Sequence, residues 1–231
     1  MPDCNLYTLL SSGFPDDLSG WCIETEDGAR YSWNDVDQAS AMLANLFVRS
    51  GLSAGDRIAV QVEKSPEALL LYLATLRAGL VFLPLNPAYQ AAEIDYFVGD
   101  AEPAAVVCTP ANASRVEPIA RRHGVRHVFT LGADRRGTLL EAAAAESQEF
   151  ETRAVRGDEL ACIVYTSGTT GRSKGAMLSH ANIGSNALVL HRYWRWRSGD
   201  VLLHAGSGPR PRLPIPGRAG PVPAAPATVV G

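Results

Sequence analysis

An apolar run at residues 160–165, Leu-Ala-Cys-Ile-Val-Tyr165, leads directly into Thr166-Ser-Gly-Thr-Thr-Gly-Arg-Ser-Lys-Gly175. No other stretch of the chain narrows the fold so far. The apolar run has strand character, and residues 177–190 after the loop are predicted to be helical. Such a glycine-rich turn suits an anion for physical reasons. Gly168, Gly171 and Gly175 let the backbone approach closely and take positive φ. Exposed backbone N–H groups can then point at phosphate oxygens. The hydroxyls of Thr166, Ser167, Thr169, Thr170 and Ser173 supply further donors, and Lys174 supplies a point charge. The order Gly171-Arg-Ser-Lys174-Gly175 puts the lysine ahead of its glycine, so the Walker pattern, in which Gly precedes Lys, is not met. A flexible linker between domains is the plain alternative. The strand directly before the loop and its two basic residues argue against it.

Upstream, short apolar segments alternate with helical periodicity. Residues 23–25 and 30–33 read as a strand pair around Glu26-Asp-Gly28. Ser32 or Asn34 can cap a helix whose buried stripe is Val36, Ala39, Leu43, Leu46 and Phe47, with Gly51 as its stop. Residues 57–62, 80–84, 104–109 and 125–130 are strand-like. Between them lie predicted helices at 68–78, opened by Ser65-Pro-Glu67, and at 91–99. A further helix is predicted at 139–145, and 146–157 reads as a loop. Short apolar strands without clear alternation, separated by helices, predict an α/β fold with a mostly parallel sheet covered on both faces.

Composition excludes several classes. A net charge of −3 on 231 residues gives no reason to expect nucleic acid as a partner. No apolar run approaches the length of a membrane span, and no signal-peptide pattern opens the chain, so a cytoplasmic setting is expected. Cys4, Cys22, Cys108 and Cys162 show no zinc or redox spacing and are expected to be buried or idle thiols. His180 could face a nucleotide or be a backbone-bonded histidine at a helix end. His191 and His204 are expected to be structural. Arg192, Arg195 and Arg197 alternate with Tyr193, Trp194 and Trp196. They are expected to end a helix that packs its aromatics inward rather than to bind nucleic acid by stacking.

Residues 206–231 differ from the rest. They hold 7 of the 15 prolines and 5 of the 21 glycines, and no Asp, Glu or Lys. Such a segment is expected to be disordered, or to bind a partner as a polyproline helix. The expected division is therefore 1–205, a partial domain, and 206–231, a tail of altered origin.

The segment Tyr165-Thr-Ser-Gly-Thr-Thr-Gly-x-x-Lys-Gly175 resembles the phosphate-loop signature of the adenylate-forming enzymes, which include acyl-CoA synthetases, luciferases and peptide-synthetase adenylation domains. Gly55-Asp-Arg-Ile-Ala-Val60, Ala78-Gly-Leu-Val-Phe-Leu-Pro-Leu-Asn86 and Met177-Leu-Ser-His180 are similar to that family too, over roughly residues 20–205. Within it, Gln61-Val-Glu-Lys-Ser65, Leu83-Pro-Leu-Asn-Pro-Ala-Tyr89, the segment from Glu93 to Pro103, Arg172-Ser173 and Ser185-Asn-Ala-Leu-Val-Leu190 resemble the malonyl-CoA synthetases.

The resemblance implies an acid–thiol ligase that uses ATP, Mg²⁺ and coenzyme A and favours malonate. Fatty or aromatic acids, or a non-catalytic binding or regulatory product, remain as alternatives. It assigns phosphate binding to Thr166, Ser167, Gly168, Thr169, Thr170, Gly171 and Lys174, with Thr166 near the metal. The family's adenylation lysine and its metal-binding glutamate lie beyond the matched region. The chain is therefore expected to be an incomplete N-terminal domain of that fold, inactive alone, with no catalytic residue assigned.

Overall fold

A computed structural model of the chain describes residues 3–166, 173–197, 199–203 and 212–214. The chain opens with α1 (Leu6–Ser11), capped by Asn5, whose side chain accepts from the Tyr7 N–H. The same Asn5 amide donates to the carbonyls of Leu76 and Arg153, both at 2.8 Å, and so ties the segment to the body. Strands β1 (Trp21–Glu24) and β2 (Arg30–Ser32) follow as an antiparallel pair. Ser32 then caps α2 (Trp33–Arg49) in a reciprocal capping box with Asp35.

From there strand and helix alternate: β3 (Arg57–Gln61), α3 (Pro66–Arg77), β4 (Val81–Pro84), α4 (Ala91–Ala101) and β5 (Ala105–Cys108). A 3₁₀ turn at Pro110–Asn112 leads into α5 (Ala113–Arg122), then β6 (His127–Thr130) and α6 (Thr138–Ala143). Helix α3 starts as its sequence dictates: the Ser65 hydroxyl accepts from Ala68, proline takes the first position, and Glu67 sits at the positive end. It stops where Gly79 takes φ +67°.

Strands β3–β6 are mutually parallel and join β7 (Leu160–Thr166) and β8 (Lys174–Ser179) in a six-stranded sheet ordered β6-β5-β3-β4-β7-β8. Only the β7–β8 pair is antiparallel. Helix α7 (His180–Trp194) leads to β9 (Val201–Leu203). The last described element, β10 (Arg212–Pro214), pairs with β9 and β1, giving a second, antiparallel sheet ordered β2-β1-β10-β9. Three residues of the segment expected to lack regular structure thus form a strand, and the remainder of that segment lies outside the described residues.

Helices cover both faces of the large sheet. On one face Leu43, Phe47, Leu71 and Leu76 pack with Ile58 and Val60. On the other, Ile94, Phe97, Val98 and Ile119 pack with Leu83 and Val106. The α/β architecture with a mostly parallel sheet is therefore as expected. Two helices were not expected. Helix α1 is one and a half turns long and is held by the Asn5 bonds. Helix α5 carries Pro118 and a largely charged surface, which obscures its buried stripe of Val116, Ile119 and Ala120.

Candidate active site

The loop that follows β7 is carried between two paired strands. Tyr165 lies opposite Gly175, and Thr166 opposite Lys174. Of the seven residues expected to bind phosphate, the structure brings these last two together. Both are exposed, and the Thr166 hydroxyl is 3.5 Å from the Lys174 carbonyl oxygen. Ser167, Gly168, Thr169, Thr170 and Gly171 lie outside the described residues.

One expectation is corrected here. Residues 177–179 were predicted to open a helix, yet they complete β8, and the helix begins at His180. Ser179 sets that boundary by capping α7 in a box with Asn182, with Ser179 itself extended at φ −81°, ψ 165°. The order is therefore strand, loop, strand, helix. The N-terminus of α7 thus follows the far end of β8 from the loop, and Lys174 is a cation that the described residues place at the loop's mouth. Gly175 suits this hairpin: a Cβ there would meet Ile163 Cγ2 at 3.0 Å and the Tyr165 ring at 3.5 Å.

The loop stems rest on α4. The Tyr165 ring packs on Phe97 at 4.5 Å between centroids and lies 6.3 Å from Tyr96. The Tyr165 hydroxyl donates to the Asp100 carboxylate. Burial first, then that hydrogen bond and charge, hold the phenol well above its usual range, so it remains a donor. On the other strand, the Tyr96 hydroxyl donates to the Ser173 carbonyl at 2.8 Å. Sequence reasoning drew Tyr96 and Asp100 only into a family resemblance. Their spacing of four along a helix was the available signal that they share a face.

Elsewhere on this rim of the sheet, at the carboxyl ends of β3 and β5, the parallel topology reverses direction. In open α/β sheets ligands gather at such a point. Here the protein's own amides occupy it. The buried Gln61 donates to the carbonyls of Asn86 and Tyr89, both at 3.1 Å, and accepts from Asn112 at 3.4 Å. Arg115 bonds Gln90 at 2.8 Å and Asn112 at 2.7 Å.

The remaining candidates resolve differently. His180 is 2% exposed, and its Nδ1 accepts from the Leu6 N–H at 3.0 Å, so of the two readings the backbone-bonded one holds. Burial depresses its pKa despite the opposing influence of Glu159 and Asp3. The aromatic end of α7 does not pack inward as expected. Tyr193 is 80% exposed and Trp194 49%, because this helix buries only His180 and Gly184. His204 lies outside the described residues. Cys22, Cys108 and Cys162 are buried, and burial pushes their thiols up to about 12, 11 and 12. That is the inert state expected of them; Cys4 is exposed.

Among the described residues no group of three or more His, Cys, Asp or Glu could hold a metal. The Thr166 hydroxyl, expected near the metal, is exposed; Mg²⁺ is ordinarily held by one or two carboxylates together with waters and substrate phosphates. No helix among the described residues is long and apolar enough to cross a membrane.

The sequence pattern of the AMP-binding enzymes matches residues 14–207. The chain belongs to the AMP-binding enzyme family. Among solved structures, ATP-bound MatB from Rhodopseudomonas palustris is 50% identical with a TM-score of 0.84, over 89% of this chain and 40% of that one. The medium-chain fatty-acid–CoA ligase of Escherichia coli (strain K12) is 31% identical over 188 residues, covering 77% of this chain and 32% of the relative. The malonate–CoA ligase of Arabidopsis thaliana is 27% identical over 194 residues, with the same coverage of each chain. The chain thus spans about a third of the length of these two AMP-binding relatives.

Proposed function

We propose that this chain supplies the phosphate-binding part of an ATP-dependent, AMP-forming acid–thiol ligase, whose acid is malonate and whose thiol is coenzyme A. The half-identical match to an ATP-bound MatB, over nearly nine-tenths of the chain, is the observation that carries this reading. In the reaction an oxygen of the acid's carboxylate attacks the α-phosphorus of ATP, and the bond to pyrophosphate breaks. The thiol sulfur of coenzyme A then attacks the acyl carbon, and AMP leaves. The first step concentrates negative charge on the departing pyrophosphate. Lys174 and donors along residues 166–174 oppose that charge. The Thr166 hydroxyl would help to hold Mg²⁺, which when bound would supply further charge neutralisation.

Malonate is favoured by the segments that resemble malonyl-CoA synthetases and by the Arabidopsis relative. A medium-chain fatty acid is the second reading, supported by the higher identity to the Escherichia coli ligase. Pyrophosphate release by a full-length relative carrying these segments separates them, with malonate and octanoate offered in turn. Release with malonate and not with octanoate is expected; the reverse overturns the malonate assignment.

The two ligases are about two and a half times as long as this chain, and catalytic parts that act as a unit leave no proportional remainder. The 231 residues alone are therefore expected to make no malonyl-CoA. Product formed by the purified chain would refute that.

A further inference from the structure

We propose that Tyr96 and Asp100 of α4 are positioning residues, which hold the two stems of the phosphate loop on one helix face and so set the placement of Thr166 and Lys174. The proposal rests on the phosphate-site reading above and adds residues that lie outside the loop. Tyr96 and Asp100 are four apart, one turn of the same helix face. Their partners belong to different strands, one on each side of the loop. Asp100 receives the hydroxyl of Tyr165 from β7. The Tyr96 hydroxyl binds the carbonyl of Ser173, directly before β8, at 2.8 Å.

Helix α4 is suited to this because it is itself fixed. Ile94, Phe97, Val98 and Ala101 are buried, and the Phe97 ring lies between Tyr89, 5.0 Å away, and Tyr165, 4.5 Å away. Beyond their own pairing, with Tyr165 opposite Gly175 and Thr166 opposite Lys174, the strands it holds are little covered at this end. Thr166, Lys174, Gly175, Ala176 and Met177 are all exposed. Fixing the Ser173 carbonyl has a specific consequence. The peptide unit is planar and trans, so orienting that oxygen also orients the Lys174 N–H in the opposite sense, and with it the start of the lysine side chain. The Tyr165–Asp100 bond acts through a side chain instead, fixing the Tyr165 ring in the residue before Thr166. Two hydroxyl bonds thus define the width and direction of the loop's mouth.

The test uses the 231-residue chain, with inorganic pyrophosphate and Mg²⁺ as the probe and amide hydrogen exchange over residues 163–177 as a second readout. Tyr96→Phe keeps the ring packing and removes only the hydroxyl. It is expected to weaken pyrophosphate binding by about three- to tenfold, the range of one net hydrogen bond, and to speed exchange over 163–177 by a similar factor. Asp100→Ala is expected to act alike. Asp100→Asn, which keeps an acceptor for Tyr165, should restore most of the binding. Tyr31→Phe, which removes a hydroxyl bond to Glu67 on the other face of the sheet, should change neither readout.

If the unaltered chain binds pyrophosphate while Tyr96→Phe and Asp100→Ala match it in both affinity and exchange, the positioning role is overturned and the phosphate site stands. Failure of the unaltered chain to bind pyrophosphate overturns the phosphate-site reading and the positioning role with it. Equal loss in Asp100→Asn and Asp100→Ala would mean that α4 packing, not the hydrogen bond, is what matters, and would also overturn it.

Discussion

Strands β3 and β8 belong to one sheet and live in different physical worlds. Four of the five residues of β3 are buried, and the helix that follows it, α3, buries nine of its twelve residues. The first four residues of β8 are exposed, and α7 after it buries two of fifteen. The first region is held by apolar contact on both faces of the sheet, which is non-directional and collectively large. The second is held by the β7–β8 backbone ladder and a few directional side-chain bonds: Tyr96 to Ser173, Tyr165 to Asp100, His180 to Leu6, and the Ser179 capping box. The phosphate loop hangs on the second. Stability and the candidate site are thus largely separable, and substitutions can address one without the other.

The largest expected effect breaks the first region. Leu71 on α3 is fully buried, and Leu71→Ala removes several methyl and methylene groups from a packed core; a loss of about 2–5 kcal/mol in unfolding free energy is expected. Val189 on α7 is 61% exposed, and Val189→Ala should change stability by less than about 0.5 kcal/mol. Urea unfolding of both variants measures the contrast. Equal losses would show that α7 is packed against something as firmly as α3, and the division would fail.

The next effect runs the other way. Lys174 is exposed at the mouth of the loop. Lys174→Ala is expected to leave the urea midpoint unchanged while weakening Mg²⁺–pyrophosphate binding about tenfold, near 1.4 kcal/mol. Titration calorimetry on the same preparation reads the affinity. A shifted midpoint with unchanged affinity would make Lys174 part of the scaffold instead.

The same division governs what was legible in the sequence. In the first region each signal is local. Ser65-Pro-Glu67 starts α3, Gly79 ends it, and the apolar runs at 57–62 and 104–109 are strands because a doubly covered parallel sheet demands them. In the second region the decisive contacts are distant in sequence. Nothing near Ser173 announces a tyrosine 77 residues earlier, and nothing near His180 announces the Leu6 N–H. The boundary error at 177–179 has the same source. Ala176, Met177 and Leu178 suit a helix by propensity, and pairing with Val164, Ile163 and Cys162 across the hairpin overrides it. The aromatics at the end of α7 were assigned inward by composition. Exposure depends on what else packs there, which composition does not record.

His180 links the two regions and gives the comparison a pH axis. Its Nδ1 accepts the Leu6 N–H, so the folded state holds the ring neutral, and burial lowers its pKa below the ordinary 6.5. Glu159 and Asp3 oppose that shift without reversing it. As pH falls, the unfolded chain takes up this proton before the folded one does. The stabilising contribution is therefore full above 6.5, declines as pH drops through it, and levels off below the depressed folded value. The slope in that window is at most about 1.4 kcal/mol per pH unit. His180→Asn keeps an acceptor for Leu6 and should flatten the profile just below pH 6.5. An unchanged slope in that variant would assign the acid sensitivity to other groups.

The smallest effect is the sharpest comparison, because the chemistry removed is identical. Ser32 and Ser179 each cap a helix in a reciprocal box, one at α2 and one at α7. Loss of such a cap costs about 1 kcal/mol. Helix α2 buries Val36, Leu43 and Phe47, so its first turn cannot loosen without disturbing the core; Ser32→Ala should lower global stability by close to the full amount. Helix α7 has little buried behind its cap beyond His180 and Gly184. Its first turn can open while the sheet stays intact, a sub-global event rather than unfolding. Ser179→Ala should therefore shift the urea midpoint by less than half as much as Ser32→Ala, and speed amide exchange at residues 182–184. If the two alanine variants lose equal global stability, α7 unfolds together with the sheet, and the loop it borders is as firmly built as the core.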